Sequence, residues 1–592
     1  MGRSKILVGR FLIWRARKIS DRYFVIILAA ILGVIIGLCA FCLKGAVFQI
    51  EELLTGNFKS DHRYLWYAIY PAIGIWITLI FIRFILRDGE PYGIPRILYV
   101  ISRNKSRMKR HKPLGAIAGA SLTAGFGGSI GLESPIITAG SSIGSILAQF
   151  LRLNYRTTTL LIGAGAAGAI SSIFNTPVAA VIFSLEVLML DLTTLSIIPL
   201  LVASVAGAIT TKMLFGDNLI MQFDLSDKFD VYDVPYYLLL GGLCGLVSLY
   251  FNKTNNLIVK QMDKIRNVYK RSAIGVITLG ALIFIFPSLY GEGYDMLKLI
   301  VSNNSSELLD NTFFQSFDFH PWMFVLFVVV LMLVKVVATS LTIESGGIGG
   351  IFAPAAVMGG LIGFAFARSV NQLDFGVVLS EPNFTMVGMA GVLGGVLHAP
   401  LTAMFLVAEL TNGYELIVPL MIITAFSYTT IKYFDPHSIF TRRLAERGEL
   451  LTHHKDQTVL TLLSVKAVID TNLDTIKPGI TLGDLVKVIA KSKRNIFPVI
   501  DNDGFFLGLI AMDDVREDMF HPEKYGNPIA QYIIQPLDSV SSADTMEVVV
   551  EKFRTTKYYN LPVIDQGKYV GFVSRATLFS AYRQVLIDVS HE

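Results

Sequence analysis

The stretch Gly127-Gly128-Ser129-Ile130-Gly131-Leu132-Glu133-Ser134-Pro135 is a glycine-rich turn with one carboxylate, Glu133, set in apolar sequence. Glycines let backbone N–H groups approach a ligand closely. Pro135 suits the first turn of a helix, where no donor is wasted. The spacing therefore predicts a helix N-terminus aimed at an acid or an anion, a pairing favoured by the free amides and the helix dipole. A carboxylate at membrane depth costs about 2.5–3.5 kcal/mol on insertion scales, so it marks function by default. The plainer alternative is an acid that caps the end of a membrane helix.

A second copy lies downstream. Gly346-Gly347-Ile348-Gly349-Gly350-Ile351-Phe352-Ala353-Pro354 aligns on the first stretch without gaps, glycines matching at 127/346, 128/347 and 131/350 and prolines at 135/354. Phe174-Asn175-Thr176-Pro177, running on to Glu186, pairs in the same way with Leu397-His398-Ala399-Pro400, running on to Glu409. Matching Gly/Pro-interrupted segments in two halves of a membrane protein point to a binding site between the repeats. Two helix N-termini meeting there form a cluster of backbone donors, suited to a small, weakly hydrated anion. Glu133 stands where it competes with that anion, which makes it a gate, a proton carrier, or both.

The rest of the chain agrees. Its 592 residues are 53% hydrophobic with mean hydropathy +0.56, which is a polytopic membrane composition with room for soluble parts. A net charge of +5 does not suggest nucleic-acid binding. Cys39, Cys42 and Cys244 show neither metal-ligand spacing nor a disulfide framework. Residues 1–22 carry Arg3, Lys5, Arg10, Arg15, Arg17, Lys18 and Arg22, so the N-terminus is expected to be cytoplasmic. Apolar runs near 24–42 and 65–86 are long enough to span, and 235–251 reads as a full span. Those at 114–126, 135–151, 158–171, 177–190 and 195–214 are less regular, several of them short and interrupted by Gly or Pro, and such backbone needs protein or a cavity around it. Apolar runs return at 273–290, 322–341, 350–368, 385–397, 400–410 and 416–433. The polar stretch 252–271, with Lys253, Lys260, Lys264, Arg266 and Lys270, is expected to be cytoplasmic, and Asp191 to end a helix.

Tyr92-Gly93-Ile94-Pro95, Gly131-Leu132-Glu133-Ser134-Pro135 and Gly350-Ile351-Phe352-Ala353-Pro354 resemble the three filter motifs of the CLC family of chloride channels and proton-coupled chloride antiporters, and Ser438-Ile439-Phe440 resembles its fourth. The resemblance implies an all-α membrane domain over 23–445, built of broken helices in an inverted repeat. It implies a homodimer in the lipid bilayer with one chloride pathway per subunit, Glu133 as the external gate, and anion contacts from Tyr92, Gly93, Gly131, Leu132, Ser134, Ile351, Phe352, Ala353 and Phe440. Departures are visible. Tyr92 replaces the usual filter serine and Phe440 the usual tyrosine, so the Tyr92 hydroxyl is expected to serve the central anion in place of both. Leu132 stands where Lys or Arg is common, which leaves the outer vestibule less attractive to anions. Val187 matches the internal glutamate of proton-coupled members and cannot hold a proton. This favours a passive channel over an antiporter. Glu186, Glu409 and His398 read as structural.

From 446 to 592 the composition turns to a soluble α/β pattern with its own repeat. Asn495-Ile496-Phe497-Pro498-Val499-Ile500-Asp501 matches Asn560-Leu561-Pro562-Val563-Ile564-Asp565. The pattern resembles a pair of CBS domains, expected on the cytoplasmic side. Such pairs can hold ATP or another adenine nucleotide, but each module here keeps half of the usual pattern, Asp514 in the first and Ser574 in the second. No nucleophile–base pair or metal cluster is spaced as in an enzyme.

Overall fold

The computed structural model describes residues 17–55, 63–189, 194–216, 229–302, 320–374, 376–411, 413–446 and 463–590, with a few isolated positions besides. Arg3, Lys5, Asp191 and the first residues of the 446–592 tail lie outside the described residues. The chain forms two units, Met1–Leu450 and Leu451–Glu592.

The first unit is all helix: α1 (Asp21–Thr55), α2 (Arg63–Ile80), α3 (Ile94–Arg103), α4 (Lys112–Gly125), α5 (Glu133–Phe150), α6 (Tyr155–Phe174), α7 (Pro177–Glu186), α8 (Thr194–Phe215), α9 (Val234–Asp263), α10 (Val268–Ile285), α11 (Tyr294–Val301), α12 (Pro321–Glu344), α13 (Phe352–Gln372), α14 (Glu381–Leu397), α15 (Pro400–Leu410), α16 (Ile417–Phe434) and α17 (Arg442–Glu446). Nine helices among the described residues are long and apolar enough to cross a membrane. The helix α1 has 35 residues, about 52 Å at 1.5 Å each, well beyond a bilayer core of roughly 30 Å. The apolar span 235–251 lies inside a longer helix, since α9 runs on through polar residues to Asp263.

The two halves mirror one another at atomic detail. A Cβ on Gly140 of α5 would lie 2.4 Å from the Gly165 carbonyl of α6, and one on Gly165 would lie 2.2 Å from the Gly140 carbonyl. Gly359 of α13 and Gly388 of α14 repeat the crossing at 2.4 Å in both directions. Only glycine allows such backbone approach, and close packing is what holds helices together where lipid supplies no hydrophobic drive. The helices α6 and α14 both end on left-handed residues, Asn175 (φ 57°) and His398 (φ 55°). The His398 ring then packs edge-on against Tyr428. Prolines open α7 and α15, and each is capped by the acid that ends the other. Glu186 accepts from the amides of Leu401 at 3.2 Å and Thr402 at 2.8 Å, and Glu409 from those of Val178 at 3.0 Å and Ala179 at 2.8 Å.

The second unit holds two hairpins. Strand β1 (Ile496–Ile500) pairs antiparallel with β2 (Phe506–Ala511), and β3 (Asn560–Asp565) with β4 (Lys568–Ser574). Each hairpin covers its own apolar core. The modules exchange edges: Asp470, ahead of the first hairpin, bridges Phe572 of the second, and Ile534 bridges Leu509 of the first. Their turns also interlock, Phe506 N–H donating to the Gly567 carbonyl and Tyr569 N–H to that of Gly504.

Candidate functional site

The helices α5 and α13 begin against one another. The Gly131 amide donates to the Gly350 carbonyl at 2.9 Å and the Gly350 amide to the Gly131 carbonyl at 2.8 Å, a reciprocal bridge between the two repeats. Gly127 (φ +83°) and Gly346 (φ +108°) make the matching turns that lead into it. Neither helix start has a side-chain cap, so its first amides lack intrahelical partners.

Glu133 lies in this gap, 1% exposed. Tyr294 OH donates to its Oε1 at 2.8 Å. Its Oε2 is buried without a hydrogen bond, and the carboxylate interacts with the Ala353 amide. A Cβ on Gly131 would sit 2.0 Å from that Oε2, which is why glycine stands there. The acid thus occupies the place that opposed helix N-termini would offer an anion.

Charged groups from distant segments converge on it. The Leu132 amide donates to Glu292 Oε1 at 3.1 Å. Lys44 donates from α1 to the Ile173 carbonyl at 2.6 Å, at the C-terminal end of α6, and interacts with both Glu292 and Glu133. Lys335 of α12 is fully buried, donates to the Gly291 carbonyl at 3.1 Å and interacts with Glu292. The Tyr294 ring stands edge-on to Phe174, which leans on Phe352. Two lysines from other elements, Lys44 and Lys335, thus lie near the start of α5, where Leu132 brings no charge of its own. Sequence reasoning missed Lys44, Glu292, Tyr294 and Lys335. The available signal was an ionisable residue within, or at the end of, an apolar run, which is functional by default.

Several expected anion contacts are otherwise engaged. Tyr92 OH donates to Asp88 Oδ2 at 3.0 Å, while Lys112 lies over its ring at 4.1 Å and pairs with Asp88 at 2.7 Å. The hydroxyl expected at the central anion is here donated to a buried carboxylate four residues upstream, a strong acceptor. Burial works against the charge on Asp88, yet Lys112, the Glu90 amide and Tyr92 hold its carboxyl down at about 2. The Gly93 amide, also expected at the anion, donates to Thr138 Oγ1 at 3.1 Å. Those of Gly131 and Leu132 are taken by Gly350 and Glu292. The uncapped start of α13 brings Ile351, Phe352 and Ala353 together opposite Ser134 of α5, whose Cβ lies 2.7 Å from the position a Cβ on Gly350 would take. Phe440 is buried and contributes no hydroxyl. Val187 is buried and apolar just past the end of α7. In the tail, Asp514 is exposed, and Ser574 Oγ accepts from the Thr577 amide at 3.0 Å, the bond of a helix cap.

The family described as voltage gated chloride channel matches residues 73–432, and CBS domains match 465–521 and 529–584. The chain is 27% identical over 437 residues to the H(+)/Cl(-) exchange transporter ClcA of Vibrio campbellii, covering 71% of this chain and 89% of that protein. It is 24% identical over 553 residues to the chloride channel protein CLC-f of Arabidopsis thaliana, covering 83% of this chain and 69% of that protein. Among solved structures, a slow cyanobacterial Cl−/H+ antiporter superposes with a TM-score of 0.60 at 21% identity, over 73% of this chain and 99% of that one.

Proposed function

Because the chain belongs to the voltage gated chloride channel family, we propose that it carries chloride across the bilayer by one pathway in each subunit of a homodimer, with Glu133 as the gate and both termini cytoplasmic. The observation that carries this reading is the Glu133 carboxylate sealed between two uncapped helix starts. Chloride reaches those amides only when the carboxylate leaves, and protonation or rotation of the side chain releases it. Ser134, Ile351, Phe352 and Ala353 are the residues that then face the ion.

The passive mode is the leading reading. Val187 offers no proton site on the inner side, and its neighbour Glu186 is committed to capping α15. Proton-coupled exchange is the second reading, favoured by the name of the Vibrio relative. The test is the purified protein in liposomes under a chloride gradient, with chloride efflux and proton movement recorded together. Efflux without proton uptake is expected. Proton uptake against its gradient overturns the passive mode, and absence of efflux overturns transport. Glu133→Gln is expected to raise efflux and abolish any proton movement.

For the tail, a structural or dimerising role is favoured over adenine-nucleotide binding, since the Ser574 hydroxyl already serves as a cap. ATP is expected to leave the unfolding temperature unchanged.

A further inference from the structure

We propose that Glu292 is a proton relay on the outer side of Glu133, passing a proton between the outer solution and the gate. This rests on the reading of Glu133 as gate. Three observations carry it. Glu133 is sealed at 1% exposure, whereas the residue Glu292 is less completely covered, so the pair forms a graded series that ends on the closed acid. Both carboxylates belong to one helix start: Glu292 holds the Leu132 amide at 3.1 Å, and Glu133 is the next residue. Glu292 and Tyr294 flank Gly293, whose left-handed backbone (φ +97°) lets the first reach Leu132 while the second donates to Glu133.

The charges around the pair suit a transfer. Glu292 faces Glu133 of α5, Lys44 of α1, Lys335 of α12, and Tyr294 and Asp295 of α11; Lys298 of α11 in turn acts on Lys44. Neighbouring carboxylates disfavour double ionisation, which suits a proton passing from one to the other. In the step proposed, the proton leaves the Glu292 carboxyl and binds the Glu133 carboxylate. One O–H bond breaks and one forms, and the net charge is unchanged. The negative charge moves outward, onto the oxygen held by the Leu132 amide and close to both lysines. Neutral Glu133 then loses its hold on the helix amides.

The test uses the full-length protein in liposomes, with chloride efflux measured against external pH. External acid is expected to stimulate wild-type efflux. Glu292→Gln keeps an acceptor for the Leu132 amide but cannot pass a proton, so the stimulation is expected to be lost. Glu292→Asp is expected to restore it. Glu292→His is expected to move its midpoint toward the imidazole range, and it keeps the test open should Glu292→Gln fail to fold. Glu133→Gln combined with Glu292→Gln is expected to behave as Glu133→Gln alone. Stimulation that persists in Glu292→Gln, an unmoved midpoint in Glu292→His, or wild-type efflux indifferent to external acid each overturn the relay while leaving transport intact. Absence of efflux from both wild type and Glu133→Gln overturns the gate itself, and the relay with it.

Discussion

Tyr294 helps to decide how firmly Glu133 stays in place, since its hydroxyl is the side-chain donor to Oε1, beside the interaction with the Ala353 amide. A hydrogen bond to a charged group contributes about 1.5–3 kcal/mol. Tyr294→Phe is therefore expected to raise chloride efflux by roughly tenfold or more, since about 1.4 kcal/mol is one decade, with no gain in Tyr294→Trp if the larger ring blocks the path. Tyr92 is the contrasting case. Its hydroxyl is committed to the ionised Asp88, so Tyr92→Phe is expected to leave anion selectivity and rate unchanged and to lower stability by about 1.5–3 kcal/mol, read as a lower unfolding temperature in detergent. Glu133 was legible because its glycine context is local: a turn that admits no Cβ leaves its mark within nine letters. Glu292, Lys44 and Tyr294 were not, because each reaches the site from a different segment and no local pattern records the meeting. Asp88 and Tyr92 lie only four residues apart and could have been paired, but the family resemblance drew attention to the anion instead.

At the scale of elements, the reciprocal capping of α7 and α15 yields a paired expectation. Glu186→Ala and Glu409→Ala each leave two amides without an acceptor. Each is expected to cost about 1–2 kcal/mol, in the range of a lost cap, with Glu186→Ala the costlier because Glu186 also accepts from Thr402 Oγ1 at 2.7 Å, as measured by thermal unfolding of the solubilised protein. The crossings of Gly140 with Gly165 and of Gly359 with Gly388 are likewise matched. Gly165→Ala and Gly388→Ala should both force their helices apart, since each added Cβ would fall within 2.4 Å of a backbone oxygen. The Pro-to-Glu spacing in both halves signalled these helices from sequence. That each Glu caps the other helix was not legible, because spacing along the chain carries no information about which N-terminus lies opposite.

Over the whole molecule, the tail carries its own pH response. Lys487 holds Asp484 below its ordinary value of 3.8, Lys524 and Tyr532 do so for Asp518, and Ser542 and Ser541 for Asp565. With the folded values depressed, this stabilisation is complete above 3.8 and disappears as pH falls through the lower folded values. The unfolding temperature of the tail's transition is expected to hold steady through neutral pH and drop in strong acid, which calorimetry of the full-length protein checks. The change of composition after residue 440 made the two units legible, since membrane and water demand different residues; the exchange of edges between the CBS modules was not, because single bridges leave no periodicity. The bridge between Gly131 and Gly350 bears on how the protein is made. Its two halves leave the ribosome about 220 residues apart, roughly 10–40 s at ordinary synthesis rates. The first half can sit in the bilayer with its glycine turn already shaped, yet no conducting path exists until the second arrives. A nascent chain that stops before Gly350 therefore holds only one wall of the site, and the membrane meets the two walls together only once synthesis has passed the second repeat.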